Sequence, residues 1–481
     1  MSILIVEKGI IATFVTMKRF LASTMVVLCL SVTAHSQTDY GLKFQRLIQS
    51  KLLKTSEIGI SVYDLTADSM LYGYHNYKLY RPASVEKLIT TITALARLGK
   101  DHSFNTSLAM TGTVRNDTLN GDLYVIGGFD PNFMSDEMNQ LAKQVRANHI
   151  KYIKGKLYSD VSMVDSTLYY GNGWSWDDAM YDFQPTLSPL MFHKGWVTVT
   201  AYPGAKNGDP ANIDVFFSFS YNVIDNRTVT GSKDSYDITR DYAHAKSKFI
   251  ATGSVNSRKV NIITVADSKT FFVRSLIDRL KENGVATVAY GGNRETPVVA
   301  DTFYTIKRPL KEVLKRAMKV SDNLNAESMF YHLAAYGKKG KYASAADAVK
   351  VIYQFIDELG MNHDDYKIVD GCGVSLYDYV SPDLLVAFLK YAYKHQEIRN
   401  VLYPALPIGG VDGTLKNRLE NGNVRTNVHA KTGTVTGVST LAGYLQTTQG
   451  HVLAFAIFNQ NILKDWRAQN FQDRICRMLA E

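Results

Sequence analysis

Apolar residues alternate at Ile58, Ile60 and Val62, give way to Asp64 to Ser69, and resume at Met70, Tyr72 and Tyr74. A period of two around a polar turn predicts a β-hairpin. Ahead of it, Leu42, Phe44, Leu47 and Ile48 supply the apolar stripe of a helix over 39–54. Behind it, Leu88, Ile89, Ile92, Leu95 and Leu98 keep helical spacing from Ser84 until Gly99 stops the run. From about 105 the pattern changes: the chain becomes rich in Tyr, Thr, Val, Asn, Asp and Gly. There Trp196 to Tyr202 and Val260 to Val265 read as strands, and one helical stretch runs from Phe271 to Leu280. Beyond 300, helices are predicted at 309–319, 323–336, 344–359 and 382–394. The last has Ser381 as N-cap, Pro382 in first position and Asp383 in the first turn. Strands follow at 428–435, 438–447 and 451–459, then a terminal helix.

A hairpin at one end and three strands at the other imply one antiparallel sheet built from both ends of the chain, flanked by the intervening helices, an α+β or α/β architecture. The expected organisation is a domain of residues 37–104 plus 301–481, interrupted by a mostly β insertion, 105–300, of one or two subdomains. A 46% hydrophobic and 21% charged composition is that of a globular protein. No internal stretch reaches the ~18 apolar residues of a membrane helix. At the N-terminus, Lys18 and Arg19 precede an apolar run, Phe20 to Val32, and Ala34-His35-Ser36 then offers a cleavage site before Gln37. This order predicts a signal peptide over 1–36, with Met17 as the more usual start, and export to the periplasm or cell envelope. Leu28 before Cys29 argues against a lipoprotein anchor.

Cleavage would remove Glu7, Lys8, Lys18 and Arg19 and lower the net charge from +9 to +7. The remaining charge is dispersed, which argues against nucleic-acid binding and leaves room for peripheral association with membrane or cell wall. Only Cys372 and Cys476 would remain; one disulfide is open, a disulfide scaffold is not. The 11 histidines show no HExxH-type spacing. Neither a metal nor a cofactor is expected.

Three short motifs carry chemistry. Ser84-Val-Glu-Lys87 opens a helix, so Ser84 and Lys87 share a face, and a lysine of lowered pKa can take a serine proton. Ser321-Asp322-Asn323 lies between two predicted helices: Ser321 suits a proton relay and Asn323 an amide contact. Lys431-Thr432-Gly433-Thr434 lies on a strand, where Gly433 would admit a substrate backbone, and Lys431, Thr432 and Thr434 would grip a terminal carboxylate. Singly, each also reads as a helix cap or an exposed strand. Together and in this order they match the trio of class A β-lactamases and penicillin-binding proteins.

The stretch Arg81 to Thr91 (RPASVEKLITT) resembles the nucleophile motif of class C low-molecular-mass penicillin-binding proteins, D-alanyl-D-alanine carboxypeptidases and endopeptidases. Gly121 to Pro131, Asp370 to Ser375 and Leu406 to Leu415 are also similar to that family, so the resemblance covers nearly all of the mature chain. The 237 residues from Ser84 to Ser321 and 110 from Ser321 to Lys431 fit its large insertion, which class A β-lactamases lack. Cys372 and Val374 depart from its usual Ser and Leu, and Phe129 from its usual Gly. The resemblance implies a penicillin-binding, serine β-lactamase-like transpeptidase domain that acts on peptidoglycan peptides. A Ser84 acyl-enzyme would form, with Lys87 as base and β-lactams as covalent inhibitors. Within the insertion, Gly173 to Asp178 (GWSWDD) resembles an acidic family segment. It implies that Asp177 or Asp178 reads the free amino group of a diaminopimelate stem peptide. A β-lactamase or esterase on the same scaffold, and a catalytically silent binder of peptidoglycan or β-lactams, are the competing readings. The long insertion and the intact serines and lysines argue against them.

Overall fold

The computed structural model describes residues 40–216, 223–241, 248–286 and 288–481. The predicted signal peptide lies outside the described residues.

Five antiparallel strands form the central sheet, in the order Val428–Val435, Val438–Gln446, Val452–Gln460, Glu57–Asp64, Ser69–Tyr74. Both ends of the chain therefore build it, as the pattern predicts. Its three central strands are buried at nearly every position because both faces are covered. Along Val452–Gln460, Leu453, Phe455 and Ile457 face one core with Phe471 and Ile475 of the terminal helix Asp465–Leu479. Ala454, Ala456 and Phe458 face the other core, shared with helices Glu86–Leu98, Asn323–Lys338, Ala345–Glu358 and Pro382–Lys394.

The middle of the chain enters on strand Ser103–Met110 and leaves on Asp301–Pro309, and these two pair antiparallel. They complete a five-stranded sheet with Leu123–Ile126, Leu157–Asp160 and Tyr290–Asn293. A three-stranded sheet, Asn212–Phe216, Trp196–Tyr202 and Lys259–Thr264, and the helix Ser268–Glu282 share a separate core with it.

The structure corrects one expectation, adds two helices and answers one open question. The first helix ends at residue 48, and Ser50 caps a separate 3-10 turn, Lys51–Lys54. Two unanticipated helices appear, Ser135–Ala147 and Gln396–Ala405. The first buries only Met138, Leu141, Ala142 and Val145, a thin stripe among polar residues; the second contains Pro404, which reads as a breaker. Cys372 and Cys476 are both free and buried, so no disulfide joins them. Among the described residues, no helix is long and apolar enough to cross a membrane.

Candidate active site

Ser84 sits in a 3-10 turn, Ala83–Val85, that runs directly into the helix Glu86–Leu98. Leu88, Ile89 and Ile92 bury one face of this helix, and Gly99, at φ 81°, closes it. That anchoring places Lys87, fully buried, one turn beyond the serine. Lys87 Nζ lies 2.7 Å from each of three acceptors: Ser84 Oγ, Asn323 Oδ1 and the Cys372 carbonyl. Burial pulls its pKa below the ordinary lysine value, although Cys372, Asp370, Glu327 and Asp322 act the other way.

Ser321 joins the helices Leu310–Lys319 and Asn323–Lys338 in a left-handed conformation, φ 61°. Its Oγ accepts from Lys431 Nζ at 2.8 Å, and Lys431 also donates to the Thr432 carbonyl at 2.6 Å. Lys431 is fully buried, and its pKa is driven well below the usual value by burial and then by Lys87. Asn323 bridges two sides of the site, accepting from Lys87 and donating Nδ2 to the Phe183 carbonyl at 2.8 Å. Asp322 caps its helix through the Asn325 N–H at 3.1 Å, so the cap reading of this motif also holds. It is pinned by Lys194 and Arg316, each at 2.7 Å.

Gly433 meets a further need inside the fold itself. A Cβ there would lie 2.2 Å from Thr440 Oγ1, 2.9 Å from the Ser84 N and 3.0 Å from the Pro82 carbonyl. The glycine lets the strand approach the nucleophile's own turn. Thr434 is exposed and lines the cleft, whereas the Thr432 hydroxyl donates to Thr414 Oγ1 at 2.7 Å.

The cleft is a cavity of about 740 Å³. Ser84, Ser321, Asn323 and Thr434 line it together with Arg81, Phe183, Val374 and Leu376. Asp177 and Asp178, on the short turn Trp176–Asp178, also reach it. Burial and then Asp177 raise the Asp178 pKa.

Sequence reasoning missed the support beneath Lys87. Asp370 accepts from the N–H groups of Cys372 (3.0 Å), Gly373 (2.6 Å) and Ser375 (2.8 Å) and from Trp174 Nε1 (2.8 Å). Around it Glu86, Glu327 and Asp378 are buried, and burial raises all three pKa values, that of Glu327 to about 8. Burial likewise pushes up the Cys372 thiol, which suits packing and not nucleophilicity. Glu327, Asp370 and Cys372 come close enough to bracket a cation. Their oxygens are nonetheless committed to the loop, since Glu327 also accepts from the Gly371 N–H at 2.8 Å. Asp370 and Trp174 fall inside stretches already singled out above, but no local pattern marks one as the other's partner. Lys194 carried no signal at all.

A two-ended sheet, a serine in the turn that opens a helix, a lysine in that helix's first turn and a second lysine on the facing strand together define a penicillin-binding fold. The crystal structure of penicillin binding protein 4 (dacB) from Haemophilus influenzae superposes with a TM-score of 0.81 at 24% identity, covering 91% of this chain and 99% of that one. The chain belongs to the D-Ala-D-Ala carboxypeptidase 3 (S13) family, whose pattern it matches over residues 43–481. It is 29% identical over 445 residues to a D-alanyl-D-alanine carboxypeptidase of Actinomadura sp. (strain R39), covering 88% of this chain and 81% of the relative. It is 26% identical over 441 residues to D-alanyl-D-alanine carboxypeptidase DacB of Haemophilus influenzae, covering 89% and 90%.

Proposed function

We propose that this chain is an exported serine D-Ala-D-Ala carboxypeptidase and endopeptidase of peptidoglycan, acting through a Ser84 acyl-enzyme that β-lactams also form. The 2.7 Å contact between Lys87 Nζ and Ser84 Oγ, with Ser84 itself lining the cleft, carries the reading. Two charges on the buried lysines disfavour each other, and in this reading the cycle starts with Lys87 neutral, its two N–H groups on Asn323 Oδ1 and the Cys372 carbonyl and its lone pair toward Ser84, and with the proton on Lys431. Ser84 gives its proton to Lys87 and attacks the carbonyl of the D-Ala–D-Xaa bond. The N–H groups of Ser84 and Thr434 receive the oxyanion, each such donor contributing about 2.7–4 kcal/mol. Ser321 protonates the leaving amine and is replenished from Lys431. In deacylation, water gives its proton through Ser321 back to Lys431, and Lys87 returns its proton to Ser84. The inventory closes.

Residues 105–300 act in this reading as an inserted domain that brings Asp177 and Asp178 to the acyl side of the substrate. The two carboxylates take the free amino group of a diaminopimelate side chain, and Arg81, which also lines the cleft, takes its carboxylate. Lys431, Thr432 and Thr434 serve the terminal carboxylate.

Mass spectrometry after penicillin treatment tests the nucleophile: one adduct on the Ser84 peptide, absent in Ser84→Ala, is expected. An unmodified Ser84, or no D-Ala release from stem pentapeptides, would overturn the reading. Asp178→Ala is expected to raise KM for diaminopimelyl peptides about 10-fold while sparing penicillin acylation.

A further inference from the structure

The loop that carries Asp177 and Asp178 is stapled to the groups around Lys87 at two points. At the first, Trp174 Nε1 donates to Asp370 Oδ2 at 2.8 Å. Asp370, 1% exposed, folds the turn 370–375 by accepting three of its N–H groups. That turn offers the Cys372 carbonyl to Lys87 Nζ at 2.7 Å. It has no slack, because a Cβ on Gly373 would fall 1.9 Å from the carbonyl of Ala83, next to the nucleophile. The Trp174 loop is pressed onto it just as closely: a Cβ on Gly173 would meet Ser375 Oγ at 2.4 Å. At the second point, the Phe183 carbonyl accepts from Asn323 Nδ2 at 2.8 Å, and Asn323 Oδ1 accepts from Lys87. Two of the three acceptors around Lys87 are thus held by, or hold, the segment from 173 to 183.

We infer that Trp174 is a positioning residue that couples occupancy of the acidic loop to the orientation of Lys87 through Asp370 and the Cys372 carbonyl. This rests on the function proposed above and adds to it. A side chain engaged by Asp177 and Asp178 steadies the loop, the indole N–H steadies Asp370, and the carbonyl then holds Nζ in line with Ser84. Substrate side-chain recognition is therefore expressed in kcat as well as in KM. A loop that only bound substrate would affect KM alone.

The experiment compares steady-state turnover of a diaminopimelyl pentapeptide and of one whose side-chain amine is acetylated, for wild type, Trp174→Phe, Trp174→His and Asp178→Ala. Trp174→Phe keeps an aromatic ring and loses the donor; Trp174→His restores a ring N–H. In wild type, the free amine should raise kcat. Trp174→Phe should lower kcat on the free-amine peptide about 10-fold with KM within about 2-fold, and bring it to the level of the acetylated peptide. Trp174→His should recover part of the loss. In the double variant with Trp174→Phe, Asp178→Ala should lose its effect on kcat while keeping its effect on KM. The inference is overturned if Trp174→Phe changes KM alone, if kcat is unchanged, or if the two substitutions multiply independently. Thermal unfolding identifies a misfolded variant, in which case Trp174→His against wild type decides by the same split. Wild type that released no D-Ala from either peptide would instead overturn the function on which this rests.

Discussion

A lysine serves as a base near neutral pH only where its charged form is made costly, and here burial does that for Lys87 and Lys431 alike. The same burial acts on the carboxyls packed beneath them, with opposite sign. Glu327 is raised from 4.5 to about 8, chiefly by burial and then by Asp370. Between these two values the folded protein holds a proton that the unfolded chain has released. The stabilisation is complete below the unfolded pKa and is lost as pH rises through about 8. Tm measured across that window should fall with rising pH, and Glu327→Gln should flatten the fall, since an amide oxygen still accepts from the Gly371 N–H. Glu86 and Asp378 are raised in the same direction, so the slope should shrink without vanishing. Identical slopes for variant and wild type would count against this account. Ser84, Lys87, Ser321, Asn323 and Lys431 could be singled out in the sequence because each lies in a short contiguous run. The acid layer was not legible, since Glu86, Glu327 and the pair Asp370 and Asp378 meet only after three separate segments have packed.

At the scale of elements, the strands of the central sheet and the long amphipathic helices were legible because their apolar periods are strong. The helices Ser135–Ala147 and Gln396–Ala405 were not, one having a thin stripe and the other an internal proline. Gly433 was legible in the sequence as room for a substrate backbone, but its internal role was not: in the fold it is also the contact between the strand Val428–Val435 and the turn that holds Ser84. Gly433→Ala should therefore act on the nucleophile before it acts on binding. Its methyl group would strike the Thr440 hydroxyl of the neighbouring strand Val438–Gln446, which donates to the Pro82 carbonyl at 2.7 Å, and would press on the backbone N of Ser84. Overpacking of this kind costs about 1–3 kcal/mol. Stopped-flow acylation by penicillin should slow by about 10-fold or more, with a lower Tm, and an unchanged acylation rate would refute this role for the glycine.

Across the whole molecule, the middle of the chain reaches the catalytic motifs through a buried ion pair that sequence spacing does not reveal. Lys194, 2% exposed and held at φ 55°, puts its ammonium 2.7 Å from Asp322 and 2.9 Å from Asn325 Oδ1. Asp322 stands between Ser321 and Asn323, so this one side chain fixes the loop that carries both. Burial lowers the Lys194 pKa while Asp322 raises it; burial would raise the Asp322 carboxyl, but Lys194 and then Arg316 hold it below its usual value. Removing one partner of such a pair leaves a buried charge and typically costs about 3–5 kcal/mol. Arg316, also 2.7 Å from Asp322, offsets part of that loss. Lys194→Met should lower Tm and slow penicillin acylation of Ser84, although Lys194 touches neither serine. Asp322→Asn keeps a side-chain oxygen for the helix cap and loses only the charge. In the double variant neither charge remains, so the loss of stability should be smaller than the sum of the two single losses. Strict additivity in unfolding free energy would show that the pair does not hold the loop, and the stability of the Ser321 turn would then have to come from Arg316 and the cap alone.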